Sequence, residues 1–303
     1  MFRRIIIQDI RVYRLVITIG LLLFYNSSYS QNKRALLIGI SDYQLINNTA
    51  NSWENIHGSN DVAILSPTLQ QHGFKVTSIV DQQATAANIR KQLSKLSSSC
   101  KPGDIVYLHF SCHGQPVEDI DGDEPDGWDE AIVPVDAQKS YVKDKYEGEN
   151  HIIDDELNRF FCTIRSKIGR NGYLTVVVDA CHAGTSFRGE ESEDSVFVRG
   201  TNTGFSERGK KFVPKIDKRG QITIQTSPDM SDICIIEACR SYQVNSEIKV
   251  NNQYYGSLSY YLNVILKSND KIIWQEPWYN DVLALMARDS RLIRQNPVIE
   301  ISK

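Results

Sequence analysis

Short apolar runs rich in β-branched residues alternate with longer polar stretches whose apolar positions fall at helical spacing. Lys33–Ile40 (KRALLIGI), Phe74–Val80, Asp104–Ser111, Tyr173–Val178 and Asp232–Ala238 are the apolar runs. Most are apolar at nearly every position, the pattern of strands covered on both faces in a parallel sheet. Helices are expected over Asn60–His72, where Val62, Leu65 and Leu69 share a face and Gly73 ends the run, and over Ala84–Leu96, with Ile89, Leu93 and Leu96 aligned. Further helices are expected over Asp154–Ile168, Gly256–Lys267 and Trp278–Arg291, with a short extended piece at Ala131–Val135 and a final strand at Pro297–Ile301. Strands and helices alternating at this spacing predict an α/β sandwich, a mostly parallel central sheet flanked by helices.

The pattern lapses twice. Thr185–Ser227 is rich in Gly, Ser, Thr and charge, and reads as a mobile linker within a domain spanning 31–303. Residues 1–30 carry Arg3, Arg4, Arg11 and Arg14, then an uncharged apolar run over Leu15–Tyr25, then Ser28-Tyr29-Ser30. A basic start, a short apolar middle and a small-residue exit describe a signal peptide, so export to the periplasm or beyond is expected; an uncleaved anchor is the alternative. The apolar run is short for a stable membrane span.

Composition narrows the field. The chain has 303 residues, 41% of them hydrophobic, and a net charge of −3, so it can build a core and has no basic excess for nucleic acid. The six cysteines, Cys100, Cys112, Cys162, Cys181, Cys234 and Cys239, show no disulfide spacing, and most read as buried thiols.

Two apolar runs end on reactive side chains. Asp104–Phe110 leads into Ser111-Cys112-His113-Gly114, and Leu174–Val178 leads into Asp179-Ala180-Cys181-His182-Ala183-Gly184. Sites in open α/β sheets form at the carboxyl ends of strands. His113 and Cys181 at neighbouring strand ends make a base and a nucleophile, with the backbone N–H groups of Gly114 and Cys181 available to a developing oxyanion. The plain alternative is a core histidine and a buried thiol with no common role. Zinc fits poorly, because Cys112-His113 and Cys181-His182 are adjacent pairs whose side chains diverge on an extended chain. No G-x-S-x-G elbow points to a serine hydrolase.

His113 in SCHG, Cys181 in DACHAG and the intervening DGDEPDGWDEAIVPVD (121–136) resemble the caspase-like cysteine peptidases, and among them the metacaspase branch. The resemblance covers Arg34 to about Thr185, and runs more loosely through IIEACRS (235–241) and YGSLSYYL (255–262). It implies a caspase-type sandwich, a catalytic pair at His113 and Cys181, and a monomer that acts on proteins or peptides. It also implies that Asp61, Ser111 and Asp179 line the pocket for the residue before the cut bond. Carboxylates facing one side chain favour Arg or Lys. Metacaspases commonly carry Cys where Gly58 stands. Glu247 and Tyr255 are weaker candidates for substrate contact, and Trp274 and Trp278 read as packing.

The acidic loop 118–130 suggests calcium. By resemblance, Asp129, Asp154 and Asp155 are the metal ligands. A further acid expected seven residues beyond Cys181 is replaced by Arg188, with Glu190 or Glu191 as substitutes. No cofactor is required for the chemistry, and calcium enters only as an activator. The linker holds Arg188, Arg199, Arg208, Lys210, Lys211, Lys215, Lys218 and Arg219, all open to a basic-specific protease, the protein itself included. The expected function is therefore a cysteine endopeptidase that cuts after Arg or Lys, is calcium-activated and processes itself. The alternative is a non-catalytic caspase-like interaction module.

Overall fold

A computed structural model describes residues 31–44, 51–122, 124, 126–181, 197–224 and 226–302. The expected leader (1–30) and residues 185–196 of the expected linker lie outside the described residues.

The first four long strands are β1 (Lys33–Gly39), β2 (Phe74–Val80), β3 (Ile105–Ser111) and a fourth over Tyr173–Asp179. Between β3 and that fourth strand, β4 (His113–Glu118), β5 (Trp128–Val133) and β6 (Ile152–Ile153) form a small antiparallel sheet, so the Tyr173–Asp179 strand is β7. Then follow β8 (Gln221–Ile224), β9 (Asp232–Glu237), the hairpin β10 (Glu247–Val250) and β11 (Gln253–Gly256), and β12 (Val298–Ser302). The main sheet has the order β2-β1-β3-β7-β9-β12-β8. Its first five members are mutually parallel, and β12 runs antiparallel to β9.

Among the described residues the helices are α1 (Gly58–Gln71), α2 (Ala86–Ser99), α3 (Asp154–Ile168), α4 (Ser257–Ser268) and α5 (Tyr279–Arg288). Each has a local cause. Thr85 caps α2 by accepting from the Asn88 N–H, 3.3 Å. Asp154, Asp155 and Glu156 place negative charge in the first turn of α3, and Gly169, at φ +60°, ends it.

Side-chain alternation builds two cores from the same strands. Leu36, Ile38, Leu108, Phe110, Leu174 and Val176 pack with α2 and α3. Leu37, Tyr107 and Val177, one residue out of step, pack with α1, α4 and α5. The mostly parallel sandwich expected from the sequence is the fold observed.

The differences lie in polar or punctuated segments. The β10–β11 hairpin went unread although its turn residues, Asn251 and Asn252, take φ +50° and +63°, a conformation that suits Asn. Strand β4 was hidden by Gly114 and Pro116, which lower strand propensity on a small edge sheet. The stretch read as a mobile linker holds an edge strand, β8, and Arg199, Thr201 and Phe205 within it are buried. Its structure comes from pairing with distant segments, which local polarity does not register.

Leu108 is 0% exposed at the centre of the sheet, whereas Ile120 is 95% exposed. Leu108→Ala should therefore lower unfolding free energy by about 2–5 kcal/mol, read from the urea midpoint at constant m. Ile120→Ala should stay within about 0.5 kcal/mol of the parent.

Candidate active site

Strands β3 and β7 run side by side with Ser111 opposite Asp179 at their carboxyl ends. His113 and Cys181 each lie two residues beyond that pair. A parallel register with no slippage therefore carries both reactive residues to one end of the sheet. Segment 197–201 threads between them, bridging to Gly114 on one side and Cys181 on the other. The Arg199 carbonyl accepts from the Cys181 N–H at 2.9 Å and the Gly114 N–H at 3.2 Å.

The His113 ring is held from three directions. It stacks on Trp53 with centroids 4.8 Å apart, meets Tyr43 at 4.9 Å, and its Nε2 donates to the Glu54 carbonyl at 2.9 Å. A carbonyl only accepts, so Nε2 carries the hydrogen and Nδ1 holds the lone pair. Nδ1 is buried and has no hydrogen-bond partner. Burial pushes the imidazole down to about 4, against the pull of the Glu54 carbonyl, so it is neutral near pH 7. Cys181, 1% exposed, donates its thiol to the Gln243 carbonyl at 2.8 Å rather than to the imidazole. Cys239 packs beside it, and its own thiol is pushed up by a hydrogen bond with Cys181 and by burial. None of the six cysteines forms a disulfide.

The acids expected to line a pocket do converge, and they converge on Arg199. This side chain is 0% exposed. One terminal nitrogen lies 2.8 Å from Asp61 and 2.8 Å from Glu247, and the other donates to Ser111 Oγ at 2.6 Å and lies 3.6 Å from Asp179. Asp61 sits in the first turn of α1, Ser111 and Asp179 at the ends of β3 and β7, and Glu247 at the start of β10. Other groups fix the carboxylates. Asp179 accepts from Ser259 N–H and Oγ at 2.8 and 2.6 Å and from Asn245 Nδ2 at 2.7 Å. Asp61 accepts from Ser111 Oγ at 2.6 Å and from the Gly256 N–H at 3.0 Å.

Two glycines make room. A Cβ on Gly256 would lie 2.2 Å from Asp179 Oδ2 and 2.5 Å from the Arg199 guanidinium. One on Gly58 would lie 2.2 Å from the Ser111 carbonyl, so the cysteine common elsewhere has no space here without backbone movement.

The electrostatics follow from burial. Desolvation raises Asp61 to about 7 against the attraction of Arg199. Burial also presses Glu247 upward, but Arg199 and His57 outweigh it and hold the carboxyl below its usual range. Arg199 is pushed further up by Asp61, Asp179 and Glu247, which overcome its own desolvation, so it is a fixed cation. Glu247 is the pocket member that sequence reasoning left as a weak candidate. Its partner His57, 2.5 Å away through Nδ1, was missed altogether. No local pattern marks either residue, because both reach the pocket through a hairpin and a loop.

Asp129 lies on β5, and Asp154 and Asp155 open α3. Burial raises Asp129 to about 7 and Asp154 to about 6, and mutual repulsion adds to both. Asp154 Oδ1 is buried without a partner. This chemistry suits a hard cation, yet among the described residues no three metal-capable side chains are grouped around one point. No helix among the described residues is long and apolar enough to cross a membrane.

Comparison with known proteins adds the family. The family model for the metacaspase, peptidase C14 domain matches residues 33–188. Metacaspase-1A of Aspergillus niger is 28% identical over 284 residues, covering 81% of this chain and 66% of the relative. Metacaspase-1B of Aspergillus fumigatus is 29% identical over 274 residues, covering 78% and 62%. The chain thus spans a little under two thirds of the length of these curated relatives. Protein GSU0716 of Geobacter sulfurreducens, known from its crystal structure, shares the fold at a TM-score of 0.58 and 19% identity, over 89% of this chain and 93% of that one. With a domain match over half its length and its strand ends arranged as described, the chain belongs to the metacaspase family.

Proposed function

We propose that the protein is a cysteine endopeptidase that cuts after Arg or Lys, with Cys181 as nucleophile and His113 as general base and acid. The observation that carries this reading is the position of Arg199, whose guanidinium fills a carboxylate-lined pocket while its carbonyl rests on two backbone N–H groups beside a thiol. A basic residue of a substrate bound the same way would present its carbonyl carbon to Cys181. His113 Nδ1 takes the thiol proton, the N–H groups of Gly114 and Cys181 hold the developing negative charge, and the proton passes to the leaving amine. Three carboxylates and a hydroxyl favour a planar, five-donor guanidinium over an ammonium and repel acidic side chains. Export on the leader at residues 1–30 and action as a single chain complete the proposal.

Matched fluorogenic peptides ending in Arg, Lys and Asp test it. Arg should be cut fastest, Lys more slowly and Asp not at all, and Cys181→Ala should abolish turnover. A folded parent that cuts none of the three points instead to a non-catalytic interaction module. Glu247→Gln should raise KM for the Arg peptide roughly tenfold or more with a smaller change in kcat, the loss of one charge-assisted hydrogen bond.

Protonation of Asp61, raised to about 7, weakens binding of a basic side chain and shows in KM, so His113 is read from the acid limb of kcat. Protonation at Nδ1 removes the base, so activity falls as pH drops through the folded pKa. That limb should appear near pH 4 rather than near the ordinary histidine value of 6.5. Trp53→Ala, which uncovers the ring, should move it upward; a limb at 6.5 in the parent would show that burial does not set it.

In this proposal Asp129, Asp154 and Asp155 would hold a calcium ion once drawn together, and its charge would offset the repulsion among them. Added calcium should raise turnover, and Asp129→Asn should remove that response. Equal rates in calcium and in chelator would take the ion out of the proposal.

A further inference from the structure

The chain from Phe197 to Phe205 lies in the site as a bound peptide would. Arg199 N–H donates to the Asn245 carbonyl at 3.0 Å, and the Phe197 carbonyl accepts from the Glu247 N–H at 2.9 Å. Residues 197–199 are thus added as an extended strand beside 245–247, the usual way a protein edge captures a peptide. The Phe197 ring sits against His57 and Tyr254, with centroids 4.7 and 4.8 Å away. Past Arg199 the chain is held as well. Phe205 exchanges backbone hydrogen bonds with Pro116 and Glu118 at 2.8 and 2.9 Å, and Gln115 Nε2 donates to the Thr203 carbonyl at 2.9 Å. At Gly200 the fit is so close that a Cβ would lie 2.0 Å from the Cys181 carbonyl oxygen. Among the described basic residues of this stretch, Arg199 alone is fully buried, and its carbonyl lies on the two N–H groups.

We propose that Phe197–Gly200 is the protein's own built-in substrate: Arg199 blocks the pocket until Cys181 cuts the Arg199–Gly200 bond, and Phe-Val-Arg is the sequence the cleft recognises in other chains. This rests on the peptidase reading above. The thiol proton passes to His113 Nδ1 once the thiol releases the Gln243 carbonyl. The sulfur bonds to the Arg199 carbonyl carbon, the C–N bond to Gly200 breaks, and the amine of Gly200 leaves with the proton from His113. Water then attacks the thioester, giving one proton to His113, which passes it to the departing sulfur, and the other to solvent. The C–S bond breaks, Arg199 leaves as a carboxylate, and the thiol is restored. The intact chain is self-blocked, because an incoming basic side chain meets a pocket already filled by Arg199.

Purified parent, Cys181→Ala, Arg199→Lys, Arg199→Ala and Phe197→Ala chains are compared by mass spectrometry, and their peptidase activity is measured in parallel. The parent should yield a fragment beginning at Gly200, and Cys181→Ala should yield none. Arg199→Lys should be cut at the same bond more slowly, and Phe197→Ala more slowly still than the parent. Arg199→Ala should stay uncut there yet hydrolyse a Phe-Val-Arg fluorogenic peptide from the first moment, without the lag of the freshly made parent. Phe-Val-Arg should be cut at least several-fold faster than Ala-Val-Arg. If Arg199→Ala does not fold, the Arg199→Lys fragment and the parent's lag decide the matter. A parent that cuts peptides at once while remaining intact, or is cut at another basic residue, overturns this inference and leaves the peptidase reading standing. A folded parent that cuts neither itself nor any peptide overturns both.

Discussion

Burying a guanidinium without water is tolerable only where negative charge and acceptors surround it. Arg199 meets that condition with Asp61, Asp179 and Glu247 at its planar head and Ser111 completing the ring. The dependence runs both ways. Three carboxylates this close and this dry repel one another, and desolvation already holds Asp61 near 7 with the cation present. The pocket and its occupant are a single electrostatic object, drawn from α1, the ends of β3 and β7, the start of β10 and the chain around Arg199.

That object fixes the rest of the site. Tying Asp179 to Ser259 and Asn245, and Asp61 to the Gly256 N–H, clamps the hairpin and α4 onto the sheet ends. Clamping them sets the edge at 245–247 along which a peptide lies. On the other side of the bond, β4 supplies the Gly114 N–H and the start of a track for residues 200–205. His113 is positioned independently, between Tyr43 and Trp53 and over the Glu54 carbonyl, so its ring does not rely on the pocket's charge for orientation. The charged pocket and the imidazole are thus held by separate scaffolds on either side of the Arg199 carbonyl.

Much of this was legible in the chain. The apolar runs gave the parallel strands because water exclusion on both faces forbids alternation there. Residues at their ends were therefore candidates for chemistry, and His113, Cys181, Asp61, Ser111 and Asp179 are all found at one end of the sheet. Arg199 was visible only as one of eight basic residues in a polar stretch. Glu247 carried no pattern that set it apart from the other acids of the chain. The hairpin turn at Asn251-Asn252 was readable in principle, since two residues with positive φ between β-formers is a local signal.

Local propensity and hydrophobic period are properties of neighbours along the chain. They determined the sheet, its helices, and which strand ends carry the thiol and the imidazole. The filled pocket depends on groups brought together by long loops, whose closure is driven by charge pairing and packing that no stretch of sequence contains. Only the tertiary structure could decide that the third carboxylate is Glu247, that Arg199 fills the pocket, and that its carbonyl lies beside the thiol.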